Sequence, residues 1–298
     1  MRLPKRVKII EVGPRDGFQN VKDFIATEDK KRIIGGLVDA GVTDMEITSF
    51  VHPKAVPQMA DAMELAKSVS YPGLRKIALV PNARGAANAV SCGVEEVSYV
   101  ISASEAHNKA NVNRTIEESM EELRKIRESE PDLKVRLDVA TAFGCPYAGK
   151  VKSEQVYRLI DAGRDAGMKE IVLCDTIGIA NPRQTALLSS EVKERYPDMQ
   201  FTLHLHNTRG LGLANILAAM QEGMDSFETS VGGLGGCPFA PGAAGNVATE
   251  DLVNMLDYMG ISHGICQEKL LETVAYVKGT VHADLTGNML NACKYENI

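Results

Sequence analysis

The chain alternates between two hydrophobic rhythms. Short runs rich in β-branched and aliphatic residues read as strands: Val7–Gly13, Asp44–Phe50, Lys76–Val80, Glu95–Ser102, Lys134–Thr141, Glu170–Thr176, Phe201–Asn207 and Ser226–Gly232, eight in all. Between them lie stretches whose apolar positions recur three and four residues apart, such as Thr27–Ala40, Ile116–Ser129, Ser153–Ala166 and Gly212–Glu222. Several of these close on Ala40-Gly41, Ala166-Gly167 or Glu222-Gly223, where glycine suits a left-handed helix C-cap. Strands alternating with helices predict a parallel sheet, and eight units in one uninterrupted chain predict an α/β fold closed as a (β/α)8 TIM barrel. The competing architecture is an open doubly wound sheet. Against it, the turn after the first run reads Gly13-Pro14-Arg15-Asp16-Gly17, without the dinucleotide glycine spacing. Two further helical patterns, Thr249–Met259 and Cys266–Val281, predict additional C-terminal helices. The expected organisation is a single domain over 1–298, with the barrel at about 5–250 and a helical appendage at about 251–298.

Composition narrows the function classes. Apolar residues make up 44% of the 298 and charged ones 24%, so the chain can bury a large core and disorder is not expected. A formal net charge of −6 speaks against nucleic acid as a partner. No run approaches the ~18 apolar residues of a membrane span. The basic residues of Met1–Lys8 have no apolar stretch behind them and read as the lead-in to the first strand, which places the expected enzyme in the cytoplasm. The six cysteines form no Cys-x-x-Cys pair, so a zinc ribbon is not expected and free thiols are.

In such a barrel, chemistry gathers at the C-terminal ends of the strands. Arg15 and Asp16 follow the first run, Glu46 lies within the second, Asp175 ends the sixth, His204 and His206 are near the end of the seventh, and Cys237 and Asn246 follow the eighth. His204 and His206, two apart on a strand, project from one face and make a platform for a divalent metal; the plainer alternative is two unrelated structural histidines. Asp16, in its glycine-flanked turn, is the natural carboxylate partner, or else a turn aspartate bonding its own backbone. Asn246 offers an amide oxygen, or else caps the helix that starts nearby. One carboxylate, two imidazoles and one amide form an oxygen–nitrogen set that suits Mg²⁺ or Mn²⁺, with zinc also possible. The loop Gly232-Gly233-Leu234-Gly235-Gly236-Cys237-Pro238 carries a thiol suited to proton transfer, with Cys145 and Cys174 as weaker candidates. Lys109, Asn111 and Asn113, after the fourth run, read as a polar loop open to a nucleotide or to solvent.

Taken in order, the motifs resemble the hydroxymethylglutaryl-CoA lyase family of the DRE-TIM metallolyase superfamily. They are Glu11-Val12-Gly13-Pro14-Arg15-Asp16-Gly17, Thr48-Ser49-Phe50-Val51, Pro57-Gln58-Met59, Ser104-Glu105, Gly144-Cys145-Pro146-Tyr147, Asp175-Thr176-Ile177-Gly178, His204-Leu205-His206, Gly233-Leu234-Gly235-Gly236-Cys237-Pro238 and Gly245-Asn246-Val247-Ala248-Thr249-Glu250-Asp251. The resemblance spans almost the whole chain. It implies a pyruvate-carboxyltransferase-like catalytic barrel, Mg²⁺ or Mn²⁺ held by Asp16, His204, His206 and Asn246, a catalytic Arg15, and Cys237 as a mobile-loop catalytic residue. It further implies active-site acids at Glu46 and Asp175, support from Gln19 and Glu250, an acyl-CoA substrate, and cleavage of hydroxymethylglutaryl-CoA to acetyl-CoA and acetoacetate, as in leucine breakdown and ketone-body formation. A homodimer is the expected assembly.

The residues agree with that chemistry. A retro-Claisen cleavage needs a base for the 3-hydroxyl proton, for which Asp175 and His204 are both suited, a cation such as Arg15 on the developing thioester enolate, and a proton donor such as Cys237 for its carbon. Members nearest the animal enzyme read His-x-His-Asp-Thr-Tyr-Gly where this chain has His204-Leu205-His206-Asn207-Thr208-Arg209-Gly210. Phe143-Gly144-Cys145 also differs from that group. Arg209 brings a positive charge to where a substrate carboxylate or CoA phosphate would approach. A paralogue acting on another 3-hydroxyacyl-CoA diacid, a Claisen-condensing synthase and a barrel that only binds CoA esters are the alternatives. The short C-terminal region and the Cys237 loop speak against the synthase, and the intact ligand set against the last.

Overall fold

The computed structural model describes residues 3–236 and 245–292. In chain order the elements are β1 (Lys8–Glu11), α1 (Thr27–Asp39), β2 (Asp44–Ser49), α2 (Ala62–Ser68), β3 (Arg75–Leu79), α3 (Ala83–Ser91), β4 (Glu96–Ser102), α4 (Glu105–Val112), α5 (Ile116–Ser129), β5 (Lys134–Ala140), α6 (Ser153–Asp165), β6 (Glu170–Asp175), α7 (Pro182–Arg195), β7 (Gln200–Leu205), α8 (Gly212–Gln221), β8 (Ser226–Thr229), α9 (Thr249–Tyr258) and α10 (Gln267–Thr280). The strands pair in parallel in sequence order and close into a barrel where β1 meets β8, Lys8 opposite Ser226 and Glu11 opposite Thr229. This is the expected (β/α)8 barrel with extra C-terminal helices.

Local sequence explains the elements. Thr115 and Glu118 form a reciprocal capping box that starts α5, and Asn181 caps α7, with Pro182 at its first helical position. Gly41, Gly167 and Gly223 take the positive φ expected of C-cap glycines. Three expected strands end two or three residues early for identifiable reasons. After β1 the chain winds into a π-helical turn, Gly13–Gly17; after β8 it enters a 3-10 turn, Val231–Gly233; and beyond β7, His206 pairs across an isolated bridge with Asn246. The polar loop expected after β4 is instead a helix: Lys109 and Asn111 lie on α4, Ser104 caps it, and Asn113 ends it at φ 54°.

Strand residues alternate between two interiors. Ile9, Met45, Ile47, Val97, Leu137, Leu203 and Phe227 face outward into one continuous apolar shell that also takes Ile33 and Leu37 of α1, Leu123 of α5 and Leu159 of α6. Each such side chain contributes about 1.5–3 kcal/mol by burial. The other face lines the barrel lumen, where Ile10, Val12 and Ile77 form a small separate cluster. The neighbouring buried residues of β2, β5, β7 and β8 there are Glu46, Arg136, Asp138, His204 and Glu228. Branched aliphatic layers usually fill this space. Here a connected set of charged side chains takes part of it.

The C-terminal segment returns to the barrel mouth. Tyr276 of α10 donates to Asp29 of α1 at 2.7 Å, with Arg32 stacked over its ring. Beyond α10, the backbone N–H of Thr286 bonds Gly232 O at 2.9 Å, and Asp251 accepts from the N–H groups of Asn288 and Met289. The turn Val231–Gly233 after β8 and the start of α9 are thus tied from outside.

Candidate active site

The π-helical turn after β1 presents Asp16. The N–H groups of Arg15, Asp16 and Gly17 all point at Val12 O, at 3.1, 2.7 and 3.3 Å, which fixes the turn and swings the carboxylate over the mouth. Asp16 Oδ1 accepts from Arg15 Nη1 (2.5 Å) and Gln19 Nε2 (2.8 Å); Oδ2 accepts from Asn246 Nδ2 (2.6 Å). Burial alone would raise its pKa, but Arg15, the two histidines and Asn246 hold it below the usual carboxylate range.

His204 and His206 do share a face, with their Nε2 atoms 3.1 Å apart. His204 Nδ1 lies 2.8 Å from Glu228 Oε2, so that ring nitrogen carries the proton and Nε2 keeps its lone pair. Burial and the neighbouring His204 push His206 down to about 3, leaving it a neutral ligand-type imidazole. Ligand atoms of Asp16, His204 and His206 all lie within 4.8 Å of one another. Asn246 donates its amide N–H to Asp16 and to Leu234 O, while its Oδ1 is buried with no partner. A set of lone pairs converging on one spot, one of them on an orphaned buried oxygen, fits a divalent cation. Close backbone packing puts Asn246 there: a Cβ on Gly245 would lie 2.1 Å from Gly235 O, so glycine is required.

Arg15 stands beside the Asp16–His204–His206 cluster, 7% exposed, with Nε on Glu46 Oε2 at 2.5 Å. Burial disfavours its charge, yet Glu46 and Asp16 hold it firmly protonated. A register irregularity between Glu46 and Thr48 in the β2–β3 ladder accompanies the placement of Glu46. Beneath both sits Arg136, fully buried. Its Nη2 lies 2.5 Å from Glu228 Oε1 and 3.8 Å from Glu46 Oε1, and its Nε donates to Ser98 Oγ at 2.7 Å. One guanidinium therefore holds the two carboxylates that in turn hold His204 and Arg15. Burial would raise Glu228, but Arg136 and His204 bring it down to about 2. Sequence reasoning missed Arg136, Asp138 and Glu228. The available signal was the alternation Arg136-Leu137-Asp138 and Phe227-Glu228, which places charges on the lumen side of strands whose other side is apolar.

The remaining candidates sit around this centre. Asp175 accepts the N–H of Ile179 at 3.0 Å and of Ala180 at 3.1 Å, and burial raises it to about 6. Glu250 accepts the N–H of Gly232 at 3.0 Å and is raised by burial to about 8. Glu11 accepts the N–H groups of Gly13 and Val231 and the hydroxyl of Thr249, and burial raises it to about 7. Arg209 donates through Nη1 to Gly178 O (2.9 Å) and Ile177 O (3.2 Å), bracing the loop after β6. Asn207 accepts from Gly212 N at 3.0 Å at the start of α8. Buried Cys145 donates to Ser104 Oγ (2.9 Å) and accepts the N–H groups of Tyr147 and Ala148, a structural arrangement. Burial and Asp138 raise the Cys174 thiol. Cys237 lies outside the described residues.

Comparison with known proteins gives a consistent picture. The HMGL-like family model matches residues 6–277. The hydroxymethylglutaryl-CoA lyase YngG of Bacillus subtilis (strain 168) is 44% identical over 297 residues, 99% of each chain. The human mitochondrial hydroxymethylglutaryl-CoA lyase is 42% identical over 98% of this chain and 91% of its own length. A solved HMG-CoA lyase from Acinetobacter baumannii, in complex with coenzyme A and 3-methylmalate, superposes with a TM-score of 0.94 at 37% identity, covering 99% of this chain and 97% of that one.

Proposed function

The chain belongs to the HMGL-like family, and from that premise we propose that it is a divalent-metal-dependent carbon–carbon lyase that cleaves 3-hydroxy-3-methylglutaryl-CoA to acetyl-CoA and acetoacetate. The observation that carries this reading is the convergence of Asp16, His204, His206 and the orphaned Asn246 oxygen beside the fixed guanidinium of Arg15. Those four residues would hold Mg²⁺ or Mn²⁺, which when bound supplies a Lewis acid for the substrate's oxygens.

The chain's own residues supply the rest. The 3-hydroxyl proton leaves, its O–H electrons become the ketone C=O bond, and the C2–C3 bond electrons pass to the thioester as an enolate. His204 has Nδ1 engaged with Glu228 and Nε2 directed at the ligand cluster, so Asp175, near 6, is the better placed base. Arg15, clamped by Glu46 and Asp16, is preorganised to stabilise the enolate oxygen without reorganising. Cys237, on the glycine loop, returns a proton to the enolate carbon and releases acetyl-CoA. Gln19 steadies Asp16 through its side-chain amide, and Arg209 braces the loop after β6. A cytoplasmic homodimer serving leucine breakdown and ketone-body formation is the setting we infer from the family resemblance.

The decisive experiment is acetyl-CoA release from a panel of 3-hydroxyacyl-CoA diacids with Mg²⁺ or Mn²⁺ and an EDTA control. Metal-dependent cleavage, fastest on hydroxymethylglutaryl-CoA, is expected; no cleavage of any member overturns the reading. Cys237→Ala is expected to bind Mn²⁺ as the parent does while losing on the order of 10²-fold or more in turnover. Near-parental turnover would remove Cys237 from proton transfer.

A further inference from the structure

The Pro57-Gln58-Met59 motif lies outside the ligand cluster, yet its amide is built into the loop that follows one of the ligands. Gln58 is 3% exposed and sits in a 3-10 turn after β2. Its Oε1 accepts the N–H of Ile25 at 3.1 Å, and its Nε2 donates to Val21 O at 2.9 Å and to Asp23 O at 2.5 Å. All three partners belong to residues 21–26, a stretch with no helix or strand of its own. Backbone groups in such a stretch have no ladder to satisfy them and need side chains or water instead. One amide here serves three of them. A carboxylate of the same shape could only accept, and would turn its lone pairs on Val21 O and Asp23 O.

The amide has a fixed origin. Buried Lys30 of α1 donates through Nζ to Gln58 O and to Asp61 Oδ1, the latter at 2.8 Å. Asp61 Oδ2 accepts from Thr27 Oγ1 at 2.9 Å, and the Phe24 ring covers the Lys30 ammonium at 4.5 Å. On the other side of the loop, bonds run on to the site without a gap. Val21, whose carbonyl Gln58 holds, donates its own N–H to Phe18 O at 2.9 Å. The N–H of Phe18 bonds Gly13 O and Arg15 O at the end of the π-helical turn. Gln19, between Phe18 and Val21, donates to Asp16 Oδ1 at 2.8 Å. Without the Gln58 amide, residues 21–25 lose three directional bonds, and the direction from which Gln19 reaches Asp16 is no longer fixed.

We propose that Gln58 is a positioning residue for the ligand cluster: its side-chain amide fixes the loop after β1 so that Gln19 holds the Asp16 carboxylate in the orientation that meets the metal. This rests on the metal-dependent lyase reading for the role of Asp16, and deepens it by giving the motif after β2 a part in that role.

The test is a double-mutant cycle on Mn²⁺ affinity, joined to amide hydrogen exchange in the metal-free protein. Gln19→Leu is expected to weaken Mn²⁺ binding about 10-fold, as loss of a group that orients a ligand does. Gln58→Leu is expected to weaken it about 3- to 10-fold. The two together should stay within about 2-fold of Gln19→Leu alone, because the group through which Gln58 acts is already gone. Unchanged affinity in Gln58→Leu, or losses that multiply in the pair, overturns the proposal. In the exchange measurement, Gln58→Leu should speed the amides of Arg15, Asp16 and Gly17 by about 10-fold or more and leave those of α5 as they are. Faster exchange confined to residues 21–25, or spread equally into α5, overturns it as well. Gln58→Glu, which keeps the size and the bond from Ile25 but loses both donors, carries the same expectations and replaces Gln58→Leu if that variant does not fold. A parent that binds no Mn²⁺ sinks the lyase reading, and the exchange pattern then decides on Gln58 by itself.

Discussion

The two faces of the barrel sheet differ in what they are for. Outside, Ile9, Ile47, Leu137, Leu203 and Phe227 meet the helices in one apolar shell. Inside, beside Ile10, Val12 and Ile77, stand the charged or polar side chains Glu46, Arg136, Asp138, His204 and Glu228. Apolar contact is non-directional, so the shell specifies that the barrel closes but tolerates small shifts. Ion pairs with hydrogen bonds are directional, so the lumen fixes where each side chain points. Replacing buried ion pairs by aliphatic layers is often neutral or stabilising. Their presence here tracks the side chains they aim, Arg15 through Glu46 and His204 through Glu228. In this molecule stability and aim are assigned to opposite faces of the same strands.

That division can be broken by substitution. The largest effect is expected from Asp16→Ala: turnover should fall by at least about 10³-fold, and the rise in Tm that Mn²⁺ gives the parent should vanish, because a ligand stabilises only the state that binds it. Persistence of the Mn²⁺ shift would take Asp16 out of the ligand set. Next comes Arg136→Met, which leaves Oε1 of both Glu228 and Glu46 buried without its cation. It should cost about 3–5 kcal/mol in urea unfolding and also depress turnover per folded molecule, since the aim of His204 and Arg15 is lost. Leu159→Ala, in the shell, should cost about 2–5 kcal/mol while turnover per folded molecule stays within about 2-fold. If Leu159→Ala slowed the folded enzyme as much as Arg136→Met, the two faces would not be separable.

The smallest effect is a pH dependence. Glu250 is raised from 4.5 to about 8, so the native state holds a proton that the unfolded chain releases near 4.5. Its contribution is fully present below about 4.5 and is lost as pH rises toward 8. Between pH 6.5 and 8 the parent should therefore lose about 2 kcal/mol relative to Glu250→Gln, which has no proton to lose. Glu11, at about 7, acts in the same direction in both proteins. His206, depressed to about 3, acts in the opposite direction but only below its ordinary value of 6.5, outside this window. Parallel stability curves for parent and variant would remove Glu250 as the source.

Much of this was legible in the sequence. The strand and helix rhythms located the barrel because period and burial are local properties; Ile116–Ser129 matches α5 residue for residue. The convergence of Asp16, His204 and His206 was legible because i, i+2 geometry and strand-end position are also local or set by the fold class. Arg136 was not, since its meaning lies in what it meets across the lumen: Glu228 is 92 residues away, by subtraction of the two positions. The Gly13–Gly17 turn was not either. Proline within a glycine-bounded stretch predicts a turn, and the π-helical form depends on three N–H groups converging on Val12 O. Arg209 was expected to face the substrate, and its charge is legible as sequence. That its Nη1 is already spent on Ile177 O and Gly178 O follows from the loop's tertiary path.

Asp16 and Asn246 touch across 230 residues of chain, and the two histidines lie nearer the second of them than the first. During synthesis the first ligand therefore waits through most of translation before its partners exist. A cation held by that set would find its ligands together only once β7 and the turns after β1 and β8 are in place. Such an ion would be a late reporter of ring closure, and a nascent chain ending before β7 would offer it Asp16 alone of the four residues. Capture from a metal pool would thereby favour finished barrels.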